Sequence, residues 1–173
     1  MSGTVVVSLD AELCWGFHDQ VTMPADRIAA PRASWRFLTA LFEKHEIPAT
    51  WAVVGHLCLD GCDGTHADHP CEEAWFSRDP GGVMTADSRW FAPRLVTNIR
   101  DSAVGHDIGL HAFSHVEFGA KATTPAIADA ELHHGVTAVD RLGITPVSFV
   151  FPRNNVGHRS LLAARGFTCY RGL

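Results

Sequence analysis

Thr4-Val5-Val6-Val7-Ser8-Leu9-Asp10, an amphipathic stretch over 32–46, and Thr50-Trp51-Ala52-Val53-Val54 read together as strand, helix, strand. The two outer segments are continuous apolar and β-branched runs, the pattern of strands buried on both faces. Between them Trp35, Leu38, Leu41 and Phe42 recur at three- and four-residue steps while Glu43 and Lys44 turn away, which gives a helix one apolar stripe. Phe37 is read with Trp35 and Leu38 as core. Pro48 ends the helix and Gly55 closes the second strand. The alternation continues: a helix over 92–101 with Pro93 in its first turn, and a strand from His106 to His111. A helix follows, opened by Thr124-Pro125 and stopped at Gly143, then a strand from Pro146 to Phe151. A short helix from His158 to Arg165 stops at Gly166, and a fifth strand starts at Phe167. Strands alternating with helices predict an α/β fold with a mostly parallel sheet.

Residues 56–91 break the alternation. They are rich in Gly, Asp, His and Cys, show no steady period, and read as a long insertion after the second strand. The 173 residues otherwise suit one domain, 1–173. With 46% hydrophobic and 19% charged residues the chain has the composition of a globular protein, not a disordered one. Its formal charge of −5 argues against a nucleic-acid partner, and no apolar run is long enough to span a membrane. The opening Met1-Ser2-Gly3-Thr4 carries no basic, apolar or cleavage region of a secretory leader. The five cysteines are odd in number. Both features lead to the expectation of a cytoplasmic protein with reduced thiols.

In a parallel α/β fold, chemistry gathers at the carboxyl ends of the strands. There the first strand ends in Asp10-Ala11-Glu12, the third in His111-Ala112-Phe113-Ser114-His115, and the fourth in Phe151-Pro152-Arg153-Asn154. A helical turn after the third strand would bring His111 and His115 to one face. One carboxylate added to them makes the two-histidine, one-carboxylate set used by catalytic zinc and by other divalent metals. Either Asp10 or Glu12 could bind while the other stays free as a base. Among 11 histidines such a pair can arise by chance; its position at a strand end, opposite Asp-x-Glu at another, favours the site.

At these residues the chain resembles the NodB-type polysaccharide deacetylases, metal-dependent hydrolases that remove acetyl groups from N-acetylated sugars. The resemblance rests on four phrases in order: Ser8 to Glu12, Ile47 to Gly55, Gly105 to His115, and Ser148 to Asn154, with Gly166-Phe167 before the next strand. It implies a distorted, seven-stranded (β/α) barrel, incomplete at the C-terminal side of this sequence, and an N-acetylated carbohydrate as substrate. It also implies roles. Asp10 would be the base that takes a proton from the metal's water. Glu12, His111 and His115 would hold the metal, zinc first and Co, Ni, Mn or Fe as alternatives. The backbone N–H near Arg153 would bind the oxyanion, with Pro152 and Asn154 of the same turn bordering the substrate; Trp15, which follows the first motif, is read from its position as a further pocket residue.

Several positions depart from the family pattern. Ala11 stands where many members carry the metal-binding Asp, so Glu12 must serve. Ala112 replaces the Ser or Thr that usually braces the loop between the histidines. Val150 stands where an Arg commonly orients the base, a task for which Arg153 is a stand-in. The family's last strands and its late acid histidine have no counterpart in this sequence; His18, His158 and His106 are the available substitutes. The open barrel leaves a strand edge suited to self-association, and a relative that binds metal or glycan without turnover is the alternative reading. Cys58, Cys62, His66, His69 and Cys71 have loose metal-like spacing but match no zinc module. The insertion is therefore expected to be a plain loop over the barrel mouth, its aromatics Trp75, Phe76, Trp90 and Phe91 packing as core, with Trp75 the exception best suited to stack on a sugar. His133 and His134 are read as surface residues.

Overall fold

The computed structural model describes residues 3–85 and 88–172. Five strands, β1 (Ser8–Ala11), β2 (Thr50–Val53), β5 (Asp107–Leu110), β6 (Ser148–Val150) and β7 (Cys169–Arg171), form one sheet in the order β1-β2-β5-β6-β7. Every pairing in it is parallel. The five strands are those read from the sequence, but β1 is shorter. It starts at Ser8, opposite Thr50, while Val5 and Val6 are exposed.

The helices follow their sequence signals. α1 (Ala25–Ala29) precedes α2 (Pro31–His45), which ends where Glu46 turns left-handed at φ 53°. α3 (Pro93–Arg100) and α4 (Pro125–Asp140) both open on a proline, whose missing N–H costs nothing in a first turn. The Thr124 hydroxyl caps α4 by accepting from the Ile127 N–H at 3.3 Å. α5 (Ser160–Ala164) leads into β7. In α2, Trp35 and Phe42 are buried, but Phe37 is 65% exposed. Two residues past Trp35 is about 200° around a helix, so Phe37 faces away from the stripe and is not core.

Trp35 and Phe42 pack edge-on against Trp51 beneath one face of the sheet. Phe118, Phe149, Phe151 and Phe167 make a second aromatic cluster around β6. Each such side chain contributes about 1.5–3 kcal/mol through burial, which anchors the strands that carry the polar rim. The sheet is curled into a half-barrel, so its two edge strands approach one another. Arg171 of β7 reaches Ser8 Oγ at 3.0 Å and the Asp10 carboxylate at 2.7 Å, both on β1. Between β2 and α3 lie two single-turn 3₁₀ helices and a short antiparallel hairpin, β3 (Gly61–Cys62) with β4 (Gly82–Val83). No helix among the described residues is long and apolar enough to cross a membrane.

Candidate metal centre and its cleft

The carboxyl ends of β1 and β5 bring Glu12, His111 and His115 together. Backbone hydrogen bonds extend the ladder past the strands: the His111 N–H donates to Val53 O at 2.8 Å, and those of Gly55 and His56 donate to Ala112 and Phe113. Ala112 and His115 then adopt φ 61° and 67°. Such left-handed turns are costly for non-glycine residues and persist where the surroundings fix them. They turn His115 back beneath His111, with ring centroids 5.0 Å apart.

The atoms are arranged as ligands. Glu12 Oε2 lies 3.0 Å from His115 Nε2 and 3.6 Å from His111 Nε2. His111 Nδ1 is 2.8 Å from the Val150 carbonyl, which can only accept, so Nδ1 carries the hydrogen and Nε2 presents a lone pair. That Nε2 is buried and without a hydrogen-bond partner. A histidine anchored through one nitrogen, with the other bare and facing a carboxylate, is the usual state of a metal-ligating imidazole. Burial would raise the Glu12 carboxyl, but the two imidazoles of His111 and His115 beside it outweigh burial and hold the group well below the ordinary carboxylate range. The three residues thus fit a divalent ion. The Glu12 side chain remains 25% exposed, so one side of the set is open.

The loop between the histidines is braced by a residue that sequence reading missed. Glu131 of α4 is fully buried and accepts from the N–H groups of Phe113 at 2.9 Å and Ser114 at 2.8 Å, and from the Ser114 hydroxyl. Its other neighbour is His69 Nε2 at 3.1 Å. Burial opposes its ionisation, yet hydrogen bonds from His69 and Ser114 hold its carboxyl below the ordinary range. The only sequence signal was a charge inside the buried stripe Ala128, Leu132, Gly135, Val139 of α4. Ser114 Oγ also accepts from Trp75 Nε1 at 2.8 Å, so the same loop holds the insertion.

The remaining predicted residues fall as follows. Asp10 lies on β1 and is paired with Arg171, not with Arg153. The Arg153 side chain instead bridges Asp19 at 2.6 Å and Glu117 at 2.7 Å, so the expected approach to Asp10 does not occur. Arg153 and Asn154 hold φ 52° and 54° in the turn after β6, with Pro152 buried beside them. Trp15, expected to border the substrate, is corrected: it has no exposed surface, donates to Trp90 O at 3.3 Å and packs on His56. The 3₁₀ turn after β1 points it inward because Leu13 to Gly16 are all buried.

A cleft of about 580 Å³ is lined by His18, Asp19, Trp75, Arg78, Glu117 and Thr123 among others, and Val116, next in sequence to His115, is on its wall. His18 is buried, its Nδ1 held by Trp15 O at 2.7 Å and its Nε2 without a partner. Of the other acid substitutes, His106 accepts from Ala49 N–H at the far, N-terminal end of the strands, and His158 Nε2 is spent on Thr123 O. His133 is exposed, whereas His134 is half-buried against His69 and Phe113 and is not simply a surface residue.

Neither a family model nor a curated protein matches the chain. Solved structures do. One is a Mycobacterium smegmatis protein described as a polysaccharide deacetylase: 18% identity over 94% of this chain and 48% of that one, TM-score 0.59. The Streptococcus pyogenes deacetylase PplD, solved with acetate, matches at 10% identity over 94% and 52%, TM-score 0.58. The de-N-acetylase of Aggregatibacter actinomycetemcomitans matches at 11% identity over 95% and 61%, TM-score 0.58. The chain therefore has the NodB-type deacetylase fold, a (β/α) half-barrel, and spans roughly half the length of these structures.

Proposed function

We propose that the chain is a metal-dependent hydrolase that removes an acetyl group from an N-acetylated carbohydrate. The observation that carries this reading is the bare, buried His111 Nε2 facing Glu12 and His115 at the strand ends of a deacetylase-type half-barrel. Glu12, His111 and His115 would hold the ion. A divalent metal there, zinc being the best match to two imidazoles and a carboxylate, supplies a Lewis acid that polarises the amide carbonyl and acidifies water.

The chain's own groups supply the rest. Asp10, half-exposed and oriented by Arg171, is the base that takes the proton from the attacking water. Arg171 is its positioning residue, a role sequence reading sought in Arg153. The left-handed turn at Arg153, its side chain clamped by Asp19 and Glu117, fixes the orientation of its peptide N–H as oxyanion donor. One such donor is worth about 3–4 kcal/mol. Pro152 and Asn154 shape that wall, and Trp75 at the cleft is the platform for a sugar ring. His18 is assigned the proton for the departing amine. Burial lowers its pKa, against the raising effect of the Trp15 carbonyl and Asp19, so once protonated it gives the proton up readily. The products are acetate and a free amino sugar.

The test is acetate release from a panel of N-acetylated mono- and oligosaccharides by the metal-loaded chain. Release that a chelator abolishes and added zinc restores is the expected result. Metal bound at Glu12, His111 and His115 with no acetate from any sugar would overturn turnover and leave the binding-only alternative.

A further inference from the structure

A second set of ligand atoms meets inside the insertion. His56 follows β2, Cys62 lies on β3, His66 on the loop after it, and Asp79 on the strand-to-strand loop before β4. Asp79 Oδ2 lies 2.9 Å from His56 Nε2, 2.8 Å from His66 Nε2 and 3.2 Å from Cys62 Sγ. The two Nε2 atoms are 3.2 Å apart. All four ligand atoms fall within 4.8 Å of one another.

His66 Nε2 and the Cys62 thiol can each donate a hydrogen to Asp79 Oδ2, but the His56 contact has no hydrogen to place in it. His56 Nδ1 lies 3.3 Å from Trp90 O, a carbonyl that can only accept, so the neutral ring has a bare Nε2. That lone pair then faces a carboxylate oxygen and a second imidazole nitrogen in a setting where His56 and Asp79 have no side-chain exposure. The His56 lone pair and the Asp79 oxygen, 2.9 Å apart, repel unless a cation lies between them. Tetrahedral zinc with bonds of ~2.0–2.3 Å spaces its ligands by roughly 3.3–3.6 Å. The three edges to Asp79 and the one between the imidazoles, 2.8–3.2 Å, need to open by only a few tenths of an ångström, and the two from Cys62 to the imidazoles lie within 4.8 Å.

The surroundings match a closed structural site. The His56 ring packs on Trp15 at 4.4 Å and Phe91 at 5.1 Å, and the His66 ring on Phe76 at 4.4 Å. The Gly81 N–H donates to Asp79 Oδ1 at 3.0 Å, and Trp90 O fixes His56, so the outer partners that orient ligands are present. Asp63 accepts from the N–H groups of Thr65 and His66 and helps hold His66 at φ 46°.

We infer that His56, Cys62, His66 and Asp79 bind one structural zinc ion, separate from the candidate metal at Glu12, His111 and His115. Binding displaces one proton, from Cys62 Sγ to solvent. Both imidazoles coordinate through Nε2 with their hydrogens on Nδ1, and Asp79 enters as the carboxylate. Two negative ligands against a doubly charged ion leave a neutral centre, which suits its apolar walls. The ion ties together four points of a segment without secondary-structure periodicity, the same segment that carries Trp75 to the cleft.

Cobalt substitution tests the assignment, because the candidate metal centre at the strand ends has no sulfur ligand. The full chain, stripped with chelator and titrated with Co²⁺, should develop an intense near-ultraviolet thiolate-to-cobalt band. Cys62→Ser should abolish that band, while Cys71→Ser and His111→Ala should keep it. Should Cys62→Ser fail to fold, alkylation of the wild type decides the matter: Zn²⁺ should protect Cys62 and leave Cys71 reactive. Absence of the band in folded wild type, its persistence in Cys62→Ser, or equal labelling of Cys62 with and without Zn²⁺ would each overturn the inference. The outcome is independent of acetate release, so it does not stand or fall with the hydrolase reading.

Discussion

The ligand sets on the sheet and in the insertion use similar side chains to opposite ends. Glu12, His111 and His115 number three, stand at the ends of strands whose pairing is fixed elsewhere, and keep one side open through the 25%-exposed Glu12. His56, Cys62, His66 and Asp79 number four, stand on a 3₁₀ turn, a two-residue strand and two loops, and close on themselves with His56 and Asp79 wholly covered. A metal site that must admit water and substrate needs an open position and a scaffold that holds it without the ion. One that organises loops needs neither. The comparison predicts that damage to the first set is seen in chemistry and damage to the second in folding.

The sharpest way to break the comparison is His115→Ala. It should bring acetate release to background and remove the metal from the strand-end set, because two protein ligands do not retain a catalytic ion. The far-ultraviolet circular dichroism should be unchanged. Metal content measured by elemental analysis checks this, and full retention of metal in His115→Ala would count decisively against the ligand set.

Asp10→Asn and Glu12→Gln separate the base from the ligand. Asp10→Asn keeps the shape of the side chain but cannot take the proton. It should retain metal and lose about 10²–10⁴-fold in kcat. Glu12→Gln should lower metal affinity first, with activity partly recovered at high zinc. Metal lost in Asp10→Asn and kept in Glu12→Gln would exchange the two roles.

The strands and the motif at each strand end were legible because both are local: apolar runs, Pro and Gly punctuation, and polar residues at fixed offsets. What the sequence did not disclose joins distant residues. Arg171 meets Asp10 from the opposite edge of the sheet, a pairing created by curling that no spacing encodes. Trp15 is buried because the insertion folds over it, placing Trp90 and Phe76 against its ring. In sequence the insertion has the pattern of a plain loop, because its order comes from side chains converging on one point. Convergence has no period, and the fourth member, Asp79, is an unremarkable residue in sequence.

Glu131→Gln probes the brace between the two regions, and its effect should be intermediate. The amide offers NH₂ where one carboxylate oxygen now accepts the Ser114 hydroxyl, so a buried partner is left unsatisfied at a cost of about 1–3 kcal/mol. Metal affinity at His111 and His115 should fall ~10–100-fold, the range for residues that orient ligands. Because the folded carboxyl of Glu131 lies below its ordinary value of 4.5, its contribution is present above that pH and is lost as pH falls through the depressed value. Thermal melts of Glu131→Gln should therefore lose less stability on acidification than the wild type. Parallel acid sensitivity of the two proteins would remove Glu131 from its bracing role.

The smallest effect is expected at Gly16, where the two kinds of damage can be told apart most finely. A Cβ added there would lie 2.2 Å from the Glu12 carboxyl group. The nearest atoms belong to the mobile end of a side chain, so Gly16→Ala can relieve the overlap by moving Glu12 instead of the backbone. The fold should persist with little change in melting temperature. Yet Glu12 Oε2 is the atom 3.0 Å from His115 Nε2, and displacing it by an ångström takes the carboxylate off the shared point. Zinc affinity at this set should fall by ~10-fold, the low end of what a misoriented ligand costs, with activity restored by added zinc. The cobalt–thiolate band of the insertion should be untouched. A competitive zinc titration on Gly16→Ala measures the first, and unchanged affinity would mean that Glu12 does not hold the ion through the geometry described.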